Sequence, residues 1–370
     1  MEDTLNAGIT WLDEPLQRRS DGPLAGRSLL IKDLIDTAGI RTTYGSKIYA
    51  EHVPDQNATV VERVLDAGAV VLGKANLPEF AWSVAGYNPW YGTVHNPAHP
   101  GRTTGGSSSG NAAAIAGGLC ELGIGTDTGC SIRLPAACCE IVGLKPAWGR
   151  IPIDGVFPVS PTLDTVGPMG KSVGDVALLW SVLSDSPVPE PRLDGLTVGL
   201  LRRPPEVGDG RPTERSDLAE QWVPDLERLG AHVVEAEIPN ATANTFAMFG
   251  HEALHSHAKT FPSRADEYAE TIGPKLQAAL ATTPDEVEAG YRALKEWRAY
   301  VPPLDLYLSP CYAIELPAED AVEFDIRLPL SSFMRWVNLT GWAGLAIGNM
   351  QLIAPRDETV LAAGLAFGRG

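Results

Sequence analysis

At 370 residues, with 44% hydrophobic residues and a formal charge of −17, the chain can bury one large core or two moderate ones. The acidic balance argues against a nucleic-acid-binding surface, and no apolar run approaches the ~20 residues that cross a bilayer. The first residues, MEDTLNAGITWLDEP, lack the basic and apolar regions of a signal peptide, so a cytoplasmic location is the expectation.

Strand-like and helix-like segments alternate along the chain, which predicts an α/β protein. Ser28 to Ile31 reads as a short buried strand that delivers Lys32 at its end. Thr59 and Glu62 have the spacing of a capping box and open a helix to about Ala67. Gly68 stops that helix, and Ala69 to Leu72 reads as the next strand. Residues 101–131 are rich in Gly, Ser and Thr and read as loop around a small-residue segment, Ala112 to Ala116. Ser172 and Asp175 repeat the capping-box spacing before another helix, and a strand follows near Leu196 to Leu201. Residues 203–214, RPPEVGDGRPTE, form a polar, Pro-rich surface loop. Ser216 to Leu229 predicts a helix kinked at Pro224, then a strand from His232 to Glu237. Leu345 to Ile353 reads as two strands around a Gly-Asn turn. Five cysteines (Cys120, Cys130, Cys138, Cys139 and Cys311) show neither a CxxC pair nor a secreted disulfide pattern, and read as buried thiols.

Two segments carry chemistry together. GGSSSG (Gly105 to Gly110) and GTDTGCSIRLP (Gly125 to Pro135) are flexible, small-residue loops that let backbone N–H groups approach a substrate carbonyl. The N–H groups of Thr128, Gly129, Cys130 and Ser131 are candidates for an oxyanion hole. Singly, each residue has an ordinary reading. Lys32 alone would be a surface lysine, Ser107 a solvated loop residue, and Ser131 a helix cap.

Jointly, the stretch GGSSSGNAAAIAGGLCELGIGTDTGCSIRLPAACCEIVGLKPAWGR resembles the signature of the amidase-signature family. Ser107 and Ser131 are 24 residues apart, the interval of that signature, and LLIKDLIDTAGIRTTYGS is similar to the family segment with a catalytic lysine, here Lys32. EFAWSVAGYNPWYGTVHNP, LDTVGPMGKSVGD and QLIAPRDE extend the likeness, which is dense over residues 28–176 and patchy afterwards. The resemblance implies one compact domain over residues 1–370, with a large mixed, twisted sheet covered by helices. Its catalytic core would be about 28–176, a variable substrate-side region about 177–335, and a strand-helix return 336–370. It implies amide hydrolysis to acid plus ammonia or amine, with Ser131 attacking. Ser107, after a cis peptide at Gly106, would bridge Ser131 and a neutral Lys32. No metal or organic cofactor is implied. The expected partner is a small-molecule amide, without nucleic acid or membrane, and a homodimer is allowed. Trp82 and Ser83 align with a pocket-lining stretch, while Tyr87, Trp90 and Tyr91 would make the pocket mouth aromatic. Asp127 and Arg133 would form an ion pair bracing the nucleophile loop.

The chain departs from the pattern at Cys130 and Glu140, where Gly is usual, and at Asn111. It is also short for the family. The competing motif is His251-Glu252-Ala253-Leu254-His255, which fits H-E-x-x-H, with His257 close by and Glu267 or Glu270 as proposed third ligands. That reading gives a zinc hydrolase with Glu252 as base. GGSSSG lacks the G-K-[ST] ending of a phosphate-binding loop. A non-catalytic amidase-fold module and a component of an amidotransferase complete the alternatives.

Overall fold

Strand register decides which side chains meet in this protein. The computed structural model describes residues 3–207 and 215–368, so residues 208–214 of the loop read at 203–214 lie outside the described residues. In chain order come β1 (Gly8–Leu16), β2 (Ser28–Lys32), α1 (Thr59–Asp66) and β3 (Val70–Ala75). The two serine loops are threaded through α2 (Ser109–Ala116), β4 (Leu122–Asp127), α3 (Arg133–Cys138) and β5 (Val142–Lys145). Then follow β6 (Thr165–Gly170), α4 (Val173–Ser184), β7 (Thr197–Leu200), α5 (Val223–Arg228) and β8 (His232–Glu235). Three helices come next, α6 (Phe246–Ser256), α7 (Gly273–Leu280) and α8 (Pro284–Ala299), before β9 (Leu306–Pro310). The long α9 (Glu323–Thr340), β10 (Ala343–Ile347), β11 (Met350–Ala354) and α10 (Asp357–Phe367) close the chain.

All these strands join one mixed sheet of eleven, in the order β1-β3-β2-β4-β6-β5-β10-β11-β9-β7-β8. β2 runs parallel to both β3 and β4, β4 is antiparallel to β6, and the far side ends in the parallel set β9, β7 and β8. Side chains alternate across such a sheet. Leu29 and Ile31 therefore join one core with α1, α4 and α10, through Val60, Val64, Leu179, Trp180 and Leu361. Leu30 joins a second core with Ala112 to Ile115 of α2 and Leu134 and Ala137 of α3. Lys32, two residues beyond Leu30, falls on that second face, where the serine loops lie. Burying a Leu or Val side chain contributes about 1.5–3 kcal/mol, so this register is strongly held.

Several elements differ from the sequence expectation. Residues 122–127, read within a Gly-rich loop, are the fully buried central strand β4. Its glycines serve close approach. A Cβ on Gly123 would lie 3.0 Å from Asn111 Nδ2, and one on Gly125 would lie 2.7 Å from Ser108 Oγ. Ala-rich α2 can thereby lie tight on the sheet. Helix α1 is capped at Ala58, whose methyl side chain can accept no bond, so Thr59 already lies inside the helix and Glu62 instead bonds Arg18 (2.6 Å) and Asn57 (2.5 Å). The second capping box is formed, with Ser172 and Asp175 bonding reciprocally at the start of α4. Pro224 makes no kink. It stands in the first turn of α5, where its missing N–H would have had no helical partner, after a separate 3-10 turn at Leu218–Trp222. β10 and β11 pair as a hairpin through Gly348 and Asn349, as the sequence predicts.

Candidate active site

β2 ends at Lys32, whose side chain is fully buried. Its Nζ lies 2.8 Å from Ser107 Oγ, 3.0 Å from Ser108 Oγ and 2.8 Å from Thr126 Oγ1. All three are hydroxyls, which can donate as well as accept, so the set suits a neutral amine with a lone pair. No carboxylate touches the nitrogen among the described residues. Burial pulls the Lys32 pKa down to about 7, against the pull of the more distant Asp127 and Asp164 charges.

The Gly106–Ser107 peptide is cis, as the resemblance implied. Gly106 is pressed against the 83–85 segment, where an added Cβ would lie 2.6 Å from the Ala85 carbonyl oxygen. The serine loop and the Trp82–Ser83 stretch are thus held together by backbone contact. Asn111, one of the departures, donates to the Leu30 carbonyl (2.9 Å) and ties α2 to β2. Glu140, another, takes φ 56°, in the left-handed region that glycine favours, and pairs with His99 at 2.9 Å.

Ser131 stands at the end of the second loop, just before α3. The Ser108 N–H donates to the Ser131 carbonyl (3.0 Å), joining the two loops. The two hydroxyls are less closely joined than expected: among the described residues the Ser131 hydroxyl makes no hydrogen bond, and the Ser107 bridge is complete only on its Lys32 side. Ser131 instead faces a cavity of about 510 Å³. The backbone N–H groups of Thr128, Gly129, Cys130 and Ser131 have no acceptor among the described residues. Thr128 and Gly129 are half-buried and Cys130 and Ser131 buried beside the cavity, so these four donors are free of protein acceptors where a bound oxygen can meet them.

The array is braced from behind. Arg133 and Asp127 are fully buried and paired at 3.0 Å. Asp127 also accepts from the Ile132 N–H (3.0 Å) and Asn338 (2.9 Å), while Arg133 reaches Gln351 (2.8 Å) and the Asn338 side-chain oxygen (2.6 Å). Burial works upward on Asp127, but the Arg133 guanidinium outweighs it and holds the carboxyl down at about 2. The Thr128 hydroxyl donates to Asp164 at 2.5 Å, a contact that sequence reasoning missed although Asp164 lies in the quoted LDTVGP segment. Burial pushes the Cys130 thiol up to about 12, so it stays protonated beside Ser131.

Trp82, Ser83, Thr128, Gly129 and Cys130 all line the cavity with Ser131. Tyr87, Trp90 and Tyr91 do not. Trp90 turns away to donate to Glu79 (2.9 Å) beneath Lys47, and Tyr87 is exposed. The aromatic rings of the cavity are Trp82, Phe246 and Phe249, the last two supplied by α6, which the motif reading did not foresee as lining.

The H-E-x-x-H motif is used structurally. Glu252 is buried and accepts from Ser160 (2.6 Å), Thr162 (3.1 Å) and Tyr291 (2.9 Å), which occupy its oxygens. His251 and His255 are exposed on the outer side of α6. His257 is buried, bonded to Tyr268 (3.0 Å), with its pKa lowered by burial to about 4. Glu267 is held by Arg264. Among the described residues no three His, Cys, Asp or Glu side chains converge as metal ligands, and no helix is long and apolar enough to cross a membrane.

Comparisons with known proteins bear on the family and the fold. The amidase family model matches residues 10–283. The A-type component of the glutamyl-tRNA(Gln) amidotransferase from Natronomonas pharaonis is 38% identical over 253 residues, covering 64% of this chain and 59% of the relative. The chain thus matches little more than half the length of that relative. The structure of a peptide amidase from Stenotrophomonas maltophilia is 27% identical, with a TM-score of 0.80 over 100% of this chain and 90% of that one. The corresponding values for the A-type component of the glutamyl-tRNA(Gln) amidotransferase from Thermotoga maritima are 25%, 0.79, 98% and 87%.

Proposed function

The chain belongs to the amidase family, and from that premise we propose that it hydrolyses a carboxylic amide through a Ser131 acyl-enzyme, with Ser107 and Lys32 as proton relay. The observation that carries this reading is a fully buried lysine whose three nearest partners are hydroxyls, with the Thr126 carbonyl farther off at 3.5 Å; its Nζ is 2.8 Å from Ser107, one loop away from an unengaged Ser131 hydroxyl. An ordinary lysine titrates near ~10.4 and would be charged at neutral pH. Lys32, lowered to about 7, is available as a base.

In the reaction, rotation of the Ser131 hydroxyl toward Ser107 completes the relay. Ser131 attacks the carbonyl as its proton passes to Ser107 and the Ser107 proton passes to Lys32. Oxygen charge develops against the N–H groups of Thr128 to Ser131, where removal of one donor typically costs about 10²–10³ in rate. The proton returns through Ser107 to the leaving nitrogen, and water resolves the ester. Trp82 and Ser83 contact the substrate beside the scissile bond.

The test is a panel of amides assayed for ammonia or amine release. Turnover by the wild type that Ser131→Ala abolishes supports the proposal, and undiminished turnover by Ser131→Ala refutes it. A second reading follows from the sequence likeness to the amidotransferase components: the chain works within an amidotransferase assembly. It requires that amide hydrolysis by the purified chain be weak until a partner is added, whereas robust turnover alone favours the free-standing enzyme, the relation suggested by the peptide amidase likeness.

A further inference from the structure

One helix supplies five of the residues that line the cavity. Glu323, Arg327, Ser331, Arg335 and Leu339 of α9 all line the cavity and recur every four residues, so they form one stripe along the helix. Such a stripe is ordinarily apolar where a helix faces a core. Here it carries three charges.

Glu323 sends one oxygen to Lys275 of α7 at 3.0 Å, with both side chains largely buried, and that pair is neutral as a unit. Lys275 also donates to the Trp82 carbonyl (2.7 Å), which fixes it in the wall. Glu286, the other acidic lining residue, is exposed and engaged in capping Thr283. Arg327 forms no ion pair among the described residues, although Glu323 lies one turn before it. Its Nε is buried without a hydrogen-bond partner, and its guanidinium rests 6.0 Å from the Phe246 ring. Leaving a buried donor unmade costs about 1–3 kcal/mol, more for a charged group, so this guanidinium is an incomplete half of a contact. Arg335 adds a second guanidinium on the same wall, stacked 3.7 Å from the centre of the Phe246 ring.

We propose that this wall is an anion subsite centred on Arg327, which selects amides carrying a carboxylate at the end away from the scissile bond. The proposal rests on the hydrolase reading of the same cavity. A guanidinium offers parallel N–H donors that match a carboxylate in two bonds, a geometry that a hydroxyl or methyl end group lacks. Phe246, Phe249 and Trp82 then enclose the apolar stem between the two ends of the substrate. The cavity therefore reads amides of dicarboxylic acids, or acylated amino acids, in preference to neutral alkyl amides.

The test uses the full chain and the linear monoamides of dicarboxylic acids from malonic to suberic, each paired with the ω-hydroxy amide of equal length. The expected result is a kcat/KM preference of at least about tenfold for the best carboxylated member. Arg327→Gln collapses that ratio toward unity, and Arg327→Lys retains part of it. In parallel, the matching dicarboxylates raise the thermal midpoint of the wild type and not of Arg327→Gln. Hydrolysis without preference, together with dicarboxylate binding indifferent to Arg327, overturns the subsite and leaves the hydrolase reading intact. Dicarboxylate binding that requires Arg327, without hydrolysis of any amide, upholds the subsite and overturns the hydrolase reading.

Discussion

Acidification perturbs the proposed base directly, because its proton affinity is set by burial. With a pKa near 7, about half of the Lys32 side chains are neutral at pH 7. An ordinary lysine would be neutral in only about four molecules per ten thousand. The buried position therefore raises the population of competent base by roughly a thousandfold at neutral pH. The neutral form is the active one, so activity grows as protons leave. Initial rates on one amide from pH 5 to 9 should give kcat/KM that rises about tenfold per pH unit below pH 6 and levels above about pH 8. The Asp127 carboxyl, at about 2, stays ionised across this window, so the Arg133 brace does not titrate with it. A flat profile, or one that falls as pH rises through 7, would refute the assignment of Lys32 as base. An apparent pKa near 10 would show that burial does not neutralise the amine.

Lys32→Arg keeps length and charge but cannot deprotonate, so kcat should fall at least about a thousandfold while the circular dichroism spectrum is retained. Arg133→Met strips the partner from a fully buried Asp127, and the urea midpoint should report a loss of about 3–5 kcal/mol. Cys130→Gly removes a buried side chain from the cavity lining beside Ser131. The ratio of kcat/KM for bulky over small amides should rise, measured with matched anilide and primary amide substrates.

Spacing and residue type within two short loops pointed to Lys32 beside Ser107, which the structure shows, and to a Ser107–Ser131 hydroxyl contact, which it does not. Lys32 was legible for a further reason: the apolar run before it predicts a strand, and strand alternation fixes its face. The Asp127–Arg133 brace was foreseen as well. Glycine misled the reading of β4, since Gly123 and Gly125 signal close approach of a neighbouring helix as readily as they signal a loop. Pro224 misled in the same manner, because a proline that kinks a helix interior is harmless in a first turn. The aromatic residues at 87–91 failed as a pocket mouth because short-range sequence neighbourhood says nothing of which way a loop turns. The α9 stripe carried a usable signal, charged and polar side chains recurring every four residues from Glu323 to Arg335. Its meaning rests on Lys275, a residue of α7 whose partnership with Glu323 no local pattern encodes.

Catalysis as proposed stands on Ser131 as the nucleophile that a neutral Lys32 activates. A fluorophosphonate probe reacts with activated serines, and peptide mapping by mass spectrometry locates the adduct. One modified residue is expected, Ser131, with labelling lost in Ser131→Ala and slowed at least about tenfold in Lys32→Met. An adduct elsewhere in the chain, or equal labelling rates with and without the lysine, would contradict it.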